Sequence, residues 1–223
     1  MLEWIAMLTM LVDHIGAVFF PGAVWMRIVG RIAMPLYTYG IVRGYELTRS
    51  RRRYALRLFL IALAAQVPFW ALWYPDVNIV AGFLAGIGVF AGLDNTPRLV
   101  ERLFHRPLPA LTRTLQGALL AAAFFLFWLV PVDYGPYLLA LLLLYRYVKW
   151  KWVLPVAQAV LVVLLLGPHW QIQLFSLVGT LLLTLPVRYP PLMRGRWFYR
   201  AFYPAHLAVI AAVAWTLYLQ GRI

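Results

Sequence analysis

An acid and an imidazole stand side by side in the apolar stretch TMLVDHIGAVFFP, which covers residues 9–21. Imidazole has an ordinary pKa of about 6.5, so His14 is a residue type suited to general-base chemistry. Neighbouring helical side chains point about 100° apart, and Asp13 is therefore not expected to orient His14 directly. We expect Asp13 to pair instead with Arg31 or Arg27 in the next apolar segment.

The composition predicts a membrane protein and excludes several classes of chemistry. The chain has 223 residues, of which 64% are hydrophobic, whereas soluble domains have about 45–50%. Its 20 Lys and Arg residues outnumber 7 Asp and Glu, but they lie between apolar segments and so indicate orientation, with no nucleic-acid partner. Since there is no cysteine, disulfides, thiolate metal sites and a cysteine acyl-enzyme are excluded, and no metal is expected.

Nine apolar segments predict a single all-α domain over residues 1–223, a polytopic helical bundle with about nine transmembrane helices. A membrane span needs about 20 apolar residues. The sixth to eighth segments are shorter, so a re-entrant segment is an alternative to a full crossing there. The first segment is predicted to be a retained helix, because Glu3 and the pair Asp13–His14 do not suit a cleaved signal peptide. The predicted spans are 3–20, 28–47, 54–74, 78–93, 113–131, 135–148, 152–167, 170–187 and 201–220.

The basic residues predict how the bundle is oriented. Most of them fall in alternate connections, which the positive-inside rule assigns to the cytoplasm. The N-terminus is then cytoplasmic and the C-terminus outside, in a multi-pass protein of the cytoplasmic (inner) membrane. Arg27 and Arg31 are exceptions, because they lie at the outer start of the second span. The residues behind this assignment are Arg43, Arg49, Arg51, Arg52, Arg53, Arg57, Arg98, Arg102, Arg106, Arg113, Arg146, Lys149, Lys151, Arg188, Arg194, Arg196 and Arg200.

The depths of the polar residues suggest a working cavity. His14 lies eleven residues beyond Glu3, a rise of roughly 16 Å in a core about 30 Å thick. An ionisable group there costs about 2.5–3.5 kcal/mol and therefore faces a partner or a cavity. Pro35 removes the helical donor for the Arg31 carbonyl and predicts a kink beside the charges. His206 is expected near the cytoplasmic start of the last span, too far from His14 to share a proton transfer.

Further polar residues fall in the middle or outer half of the spans and are candidates for substrate binding. They are Gln66, Asn78, Asp133 and Tyr134. An acyl-transfer reaction would need donors for its oxyanion, and Arg31, Gln66 and Tyr134 all remain open for that role.

Several motifs together resemble the TraX family, known for N-terminal acetylation of conjugative pilin. They are WIAMLTMLVDHIGAVFF, VGRIAMPLYTYGIVRGYELTRS, YALRLFLIALAAQVPF, DYGPYLLALLLLY and FYRAFYPAHL, in that order along the chain. The resemblance implies a transmembrane acyltransferase that takes an acyl group from cytoplasmic acyl-CoA, with a histidine in an early helix. It assigns Asp13 and His14 to the family's Asp-His pair, Arg31 to its Gly-Arg motif, Asp133 to Asp-Tyr-Gly and His206 to Tyr-Pro-x-His-Leu.

We therefore expect acetyl-CoA or another acyl-CoA as co-substrate and His14 as general base, with Asp13 and Arg31 beside it. Arg43, Arg49, Arg53 and His206 would contact the anionic nucleotide at the cytoplasmic face. The acceptor is an amine or hydroxyl at the outer side, on a peptide N-terminus, a glycan or a lipid, with membrane lipids as further partners. The alternative is a proton-coupled transporter or channel that uses Asp13, His14 and Arg31 as a relay. A third hypothesis is a scaffold in which Asp13 and Arg31 form a structural pair.

Overall fold

A computed structural model describes residues 2–185 and 196–220, and within these ranges the chain is all-α. The predicted fold class is confirmed. Two short 3-10 turns, Gly167–His169 and Leu174–Ser176, flank α9. The helices are α1 (Leu2–Phe19), α2 (Val24–Gly30), α3 (Ala33–Leu47), α4 (Arg51–Trp73), α5 (Ile79–Phe104), α6 (Pro109–Leu129), α7 (Gly135–Tyr147), α8 (Val153–Leu165), α9 (Trp170–Gln173), α10 (Leu177–Thr184) and α11 (Arg196–Leu219).

Five helices in the described ranges are long and apolar enough to cross a membrane, namely α1, α4, α5, α6 and Trp197–Leu219 of α11. The chain is therefore a multi-pass membrane protein. The eighth predicted span is built from α9, α10 and the two 3-10 turns. Its last predicted residues, 186 and 187, lie outside the described residues, as do Arg188 and Arg194.

The short helix α7 forms the centre of the bundle. It has only 13 residues, a rise of about 20 Å, and packs against α3, α5, α6 and α8. Leu138, Leu139, Leu141 and Leu142 are completely buried in it. An apolar helix of this length is typical of a core enclosed by other helices, which explains why the sixth segment is shorter than a full span.

The second predicted span is broken, as the position of Pro35 predicts. α2 ends at Gly30 and α3 begins at Ala33, so Arg31 lies in the break, where Pro35 offers no N–H to its carbonyl. The expected kink is confirmed, but α2 begins at Val24, four residues earlier than the predicted span. Arg27 is consequently a helical residue on α2, one turn before Arg31.

Two glycines allow α1 and α2 to approach closely. A Cβ atom on Gly30 would overlap the carboxylate of Asp13, and one on Gly16 would overlap the side chain of Met26. Small residues at such crossings let membrane helices pack backbone to backbone. The turn between α1 and α2 therefore returns the chain with Arg27 and Arg31 directly beside Asp13.

Two connections on the same side of the bundle are tied together by backbone hydrogen bonds. The N–H of Val77 donates to the carbonyl of Pro131 (2.8 Å), and the N–H of Asp133 donates to the carbonyl of Val77 (3.0 Å). Tyr134 follows with a positive φ of 64°, which is uncommon outside glycine and often marks a functional position. The phenol of Tyr134 is thereby brought to the break between α2 and α3.

Candidate functional site

A cavity of about 820 Å³ connects the ends of several helices. One end lies beside the break between α2 and α3, and the other lies where α3 finishes and α4 and α11 begin. Aromatic and aliphatic side chains, among them Tyr37, Phe69 and Phe83, line the stretch between the two ends. Polar residues at the first end are Asp13, His14, Arg27, Arg31, Asp76, Asp133 and Tyr134, and those at the second are Glu3, Arg43, Thr48, Tyr54, Arg57, Tyr199 and Arg200.

Asp13 lies between two guanidinium groups at the first end. Its Oδ2 accepts from Arg27 Nη1 at 2.8 Å, and its Oδ1 accepts from Arg31 Nη2 at 2.6 Å. The side chains of Asp13 and Arg31 are each 11% exposed, whereas that of Arg27 is 33% exposed. The predicted pairing of Asp13 with Arg31 or Arg27 is confirmed for both arginines. The cluster carries one more positive than negative charge and can attract an anion.

Arg31 is also held by uncharged partners. Its Nη1 donates to the phenol oxygen of Tyr134 at 2.9 Å and to Oε1 of Gln173 at 3.3 Å, and its Nε donates to the carbonyl of Arg27 at 3.2 Å. Gln173 is 3% exposed, and its Nε2 has no hydrogen-bond partner among the described residues. These contacts fix the guanidinium plane at the cavity wall, which a preorganised donor requires.

His14 does not stand at a different depth from His206; the two rings are hydrogen-bonded. His14 Nδ1 lies 2.7 Å from His206 Nε2, so the expected separation is wrong, and His206 is placed away from the arginine-rich end of the cavity. The error comes from the start of α11. This helix already includes Arg196, so His206 lies ten residues along it, a rise of about 15 Å, which matches the depth of His14.

α1 and α11 run in the same direction, which brings the histidines together. Trp4 packs on Phe198 near the starts of the two helices, with ring centroids 5.9 Å apart. Ten residues later on α1 and eight residues later on α11, His14 meets His206. Trp73 of α4 also packs on His14, at 5.3 Å between centroids. The imidazole is therefore held in place by contacts from both α11 and α4.

Asp133 lies at the edge of the first end, in the connection before α7. Burial raises the pKa of its carboxyl to about 6, although the nearby Arg31 guanidinium acts to lower it. This carboxyl and the phenol of Tyr134 are the two candidate substrate-binding residues that the structure brings to the cavity.

Gln66 and Asn78 do not line the cavity. The side chain of Asn78 caps α5, accepting from the N–H groups of Val80 (3.0 Å) and Ala81 (3.2 Å), as N-cap residues do. Its Nδ2 donates to Gln66 Oε1 at 2.6 Å, and Gln66 Nε2 donates to the carbonyl of Asp76 at 2.9 Å. Their hydrogen bonds hold α4 to the start of α5 rather than reach towards the cavity.

The three candidate nucleotide-binding arginines separate into two groups. Arg43 lines the second end of the cavity and pairs with Glu46 at 2.7 Å. Arg49 and Arg53 are exposed and do not line it. Two other basic residues, Arg57 and Arg200, do line it, and they were counted in the sequence only as orientation signals. Their places on the second turns of α4 and α11 could have been found by locating the helix starts more accurately.

Other residues of the site carry no sequence signal of their own. Trp73 and Tyr203 belong to types that are common in apolar helices, and only their contacts with His14 distinguish them. Gln173 differs, because a polar side chain within an apolar segment needs an interior partner, which here is Arg31.

The sequence was compared with protein families, known proteins and solved structures. The family model described as TraX protein matches residues 1–214 of this chain. The chain is also similar to the probable fimbrial assembly protein FimC, serogroup H1, of Dichelobacter nodosus. The two are 27% identical in an alignment that covers 95% of this chain and 93% of that protein. No solved structure matches significantly.

Proposed function

The chain belongs to the TraX family, and from that premise we propose that it is a membrane acyltransferase. It moves an acetyl or other acyl group from acyl-CoA at the predicted cytoplasmic face to an acceptor amine or hydroxyl at the outer side. His14 is the general base. The observation that carries the proposal is the single cavity that holds His14 and Arg31 at one end and a cluster of basic residues at the other.

The second end of the cavity suits the anionic part of coenzyme A. Arg43, Arg57 and Arg200 line it together with the hydroxyl-bearing Thr48 and Tyr54. Guanidinium groups bind phosphates through charge-assisted, often bidentate hydrogen bonds. The apolar stretch beyond would hold the pantetheine arm, whose thioester then approaches His14. This assignment replaces Arg49, Arg53 and His206 with Arg57 and Arg200 as donor-binding residues.

Acyl transfer at the first end follows from the groups present. The acceptor nitrogen or oxygen attacks the thioester carbonyl, and the new C–N or C–O bond forms as its proton passes to His14. The C–S bond then breaks, and the imidazolium returns the proton to the thiolate of coenzyme A. Direct attack needs no enzyme nucleophile, in keeping with a chain that has no cysteine.

The tetrahedral intermediate carries an oxyanion that needs fixed donors. Arg31 is held at the cavity wall by Asp13 at 2.6 Å and by Tyr134 at 2.9 Å. Because Gln66 lies outside the cavity, Arg31 is the stronger choice, with the phenol of Tyr134 as its neighbour. Removing one such donor typically slows the reaction about 10²–10³-fold.

The acceptor is proposed to belong to a pilus or fimbrial system. The similar protein of Dichelobacter nodosus is named for fimbrial assembly, and the TraX resemblance points to the amino terminus of a pilin. A peptide amine is therefore the first acceptor to test, ahead of a glycan or lipid hydroxyl. The cytoplasmic membrane is the corresponding location.

The transporter alternative fits the site less well. A proton carrier must bind and release protons in turn, yet both carboxylate oxygens of Asp13 are engaged by guanidinium groups. A purely structural pair would leave the proximity of His14 to the cavity without a purpose.

The proposal is tested by thiol release from acetyl-CoA with the purified full-length protein in lipid nanodiscs. The probes for the acceptor are a short peptide with a free amino terminus and methyl glucoside, whose hydroxyl groups can accept the acyl group. Since the chain has no cysteine, thiol detection has no background from the protein. The proposal requires acceptor-dependent release that His14→Ala abolishes and the control His105→Asn preserves. Folded wild-type protein that neither binds acetyl-CoA nor releases thiol would refute it.

A further inference from the structure

The contact between His14 and His206 fixes which nitrogen of each ring carries a proton. The Nδ1 atom of His206 lies 2.7 Å from the backbone carbonyl oxygen of Phe202. A carbonyl oxygen has only lone pairs to offer, so Nδ1 of His206 must be the N–H donor. In the neutral ring the Nε2 atom is then an acceptor.

The atom that bonds to Nε2 of His206 must donate a hydrogen. His206 Nε2 lies 2.7 Å from His14 Nδ1, so Nδ1 of His14 carries the hydrogen and Nε2 of His14 keeps its lone pair. Among the residues that the structure describes, no group hydrogen-bonds to Nε2 of His14. His14 lines the cavity and His206 does not, so the occupied edge of the His14 ring faces away from the cavity.

The ring geometry favours a strong bond. The two imidazole planes differ by 6°, and their centroids are 5.0 Å apart. Parallel rings whose nitrogens approach to 2.7 Å cannot be stacked face to face; they meet edge to edge in nearly one plane. The N–H of His14 therefore points along the lone pair of His206, as a good hydrogen bond requires.

His206 is enclosed so that little else can bond to its acceptor nitrogen. It is 7% exposed, and Phe202 stacks on it at 4.9 Å between centroids. Its outer side faces a separate apolar groove whose lining contributes no other polar side chain. The groove consists of Leu11, Ile15, Phe19, Val209, Ile210 and Val213 beside His206.

We propose that His206 is a positioning residue for His14: it holds that imidazole as the Nδ1–H tautomer, so that Nε2 is the base presented to the cavity. When Nε2 takes the acceptor's proton, the Nδ1–H bond lets His206 share the positive charge. The proton returns from Nε2 of His14 to the departing thiolate, and both rings recover their initial tautomers. The catalytic part of this inference rests on the proposed acyl transfer, whereas the tautomer does not.

Nitrogen-15 NMR of histidine-labelled full-length protein in nanodiscs tests the tautomer without any activity. The chain has four histidines, and single substitutions assign them. We expect Nδ1 protonated and Nε2 bare on His14, and Nδ1 protonated on His206. In His206→Phe, which keeps an aromatic ring but removes the acceptor, His14 should populate both tautomers. A wild-type His14 protonated on Nε2, or a His206 protonated on both nitrogens, would overturn the proposal.

Two variants at position 206 separate positioning from packing when activity is measured. His206→Phe should lower the rate of acetyl transfer about a hundredfold, with the KM for acetyl-CoA changed less than about threefold. His206→Gln can place an amide oxygen near the lost acceptor, so it should restore the Nδ1–H tautomer and recover about tenfold of the rate. An unchanged rate in His206→Phe would refute the catalytic role. If the wild type shows the expected tautomer but transfers no acetyl group, the acyltransferase assignment fails and the tautomer assignment stands.

Discussion

Two buried polar clusters of this protein differ in charge and in access. The first, Asp13 with Arg27 and Arg31, is ionic and opens to the cavity. The second joins α7 and α8 to the 3-10 turn Leu174–Ser176 and the α10 helix that follows it. At its centre Gln158 donates to Ser176 at 2.7 Å and accepts from Tyr145 at 3.2 Å. Gln158, Ser176 and Thr180 are all fully buried and do not line the cavity.

The difference indicates what each cluster is for. A neutral network with its members satisfied specifies how helices pack. An ion cluster at a cavity is costly in a membrane and is typical of a functional site. The first cluster should therefore control chemistry as well as folding, whereas the second should control folding alone.

Removing the base should give the largest effect. His14→Ala is expected to lower acyl transfer about 10²–10⁴-fold, because proton transfer by a positioned side chain contributes that much. Binding of acetyl-CoA, measured by calorimetry, should remain within about threefold. His105→Asn is the matched control, since His105 is exposed with a φ of 55° that asparagine also tolerates. Loss of binding together with loss of folding would make His14 structural.

Asp13→Ala should affect both stability and activity. It leaves two guanidinium groups without their carboxylate, and breaking a buried ion pair costs about 3–5 kcal/mol. Equilibrium unfolding in mixed micelles would measure the free-energy change, and thiol release would measure activity. A variant as stable as the wild type would show that the cluster is hydrated enough to dispense with Asp13.

Gln158→Leu tests whether the second cluster affects folding alone. Leucine cannot replace the hydrogen bonds to Tyr137 and Ser176, so we expect a loss of about 1–3 kcal/mol in the same unfolding measurement. Activity per folded molecule should stay at the wild-type level. A specific loss of activity would contradict the division between a chemical and a structural cluster.

The smallest effect is expected at the donor-binding end. Arg57→Ala should raise the KM for acetyl-CoA about tenfold, the equivalent of roughly 1.4 kcal/mol, with little change in kcat. Arg49→Ala is the paired control because Arg49 is exposed and lies off the cavity. Equal effects of both variants would indicate a general charge effect at this face rather than a site.

The sequence predicted the features that depend on local pattern. The apolar segments, the break near Pro35 and the pairing of Asp13 with Arg27 and Arg31 follow from helix length, a missing N–H and adjacency in the chain. The contact of His14 with His206 was missed because a basic and aromatic run hid the start of α11. The roles of Asn78 and Gln66 depend on backbone groups of other segments, which composition and periodicity do not reveal.

The histidine pair joins α1 to α11, and its two histidines are 192 residues apart in the chain. At about 5–20 residues per second, a ribosome needs roughly 10–40 seconds to proceed from the first histidine to the second. During that interval α1 is already available for membrane insertion while its partner helix does not yet exist. On the proposed mechanism, the nascent protein would therefore lack its complete histidine pair until α11 has been synthesised, whatever the state of the earlier helices.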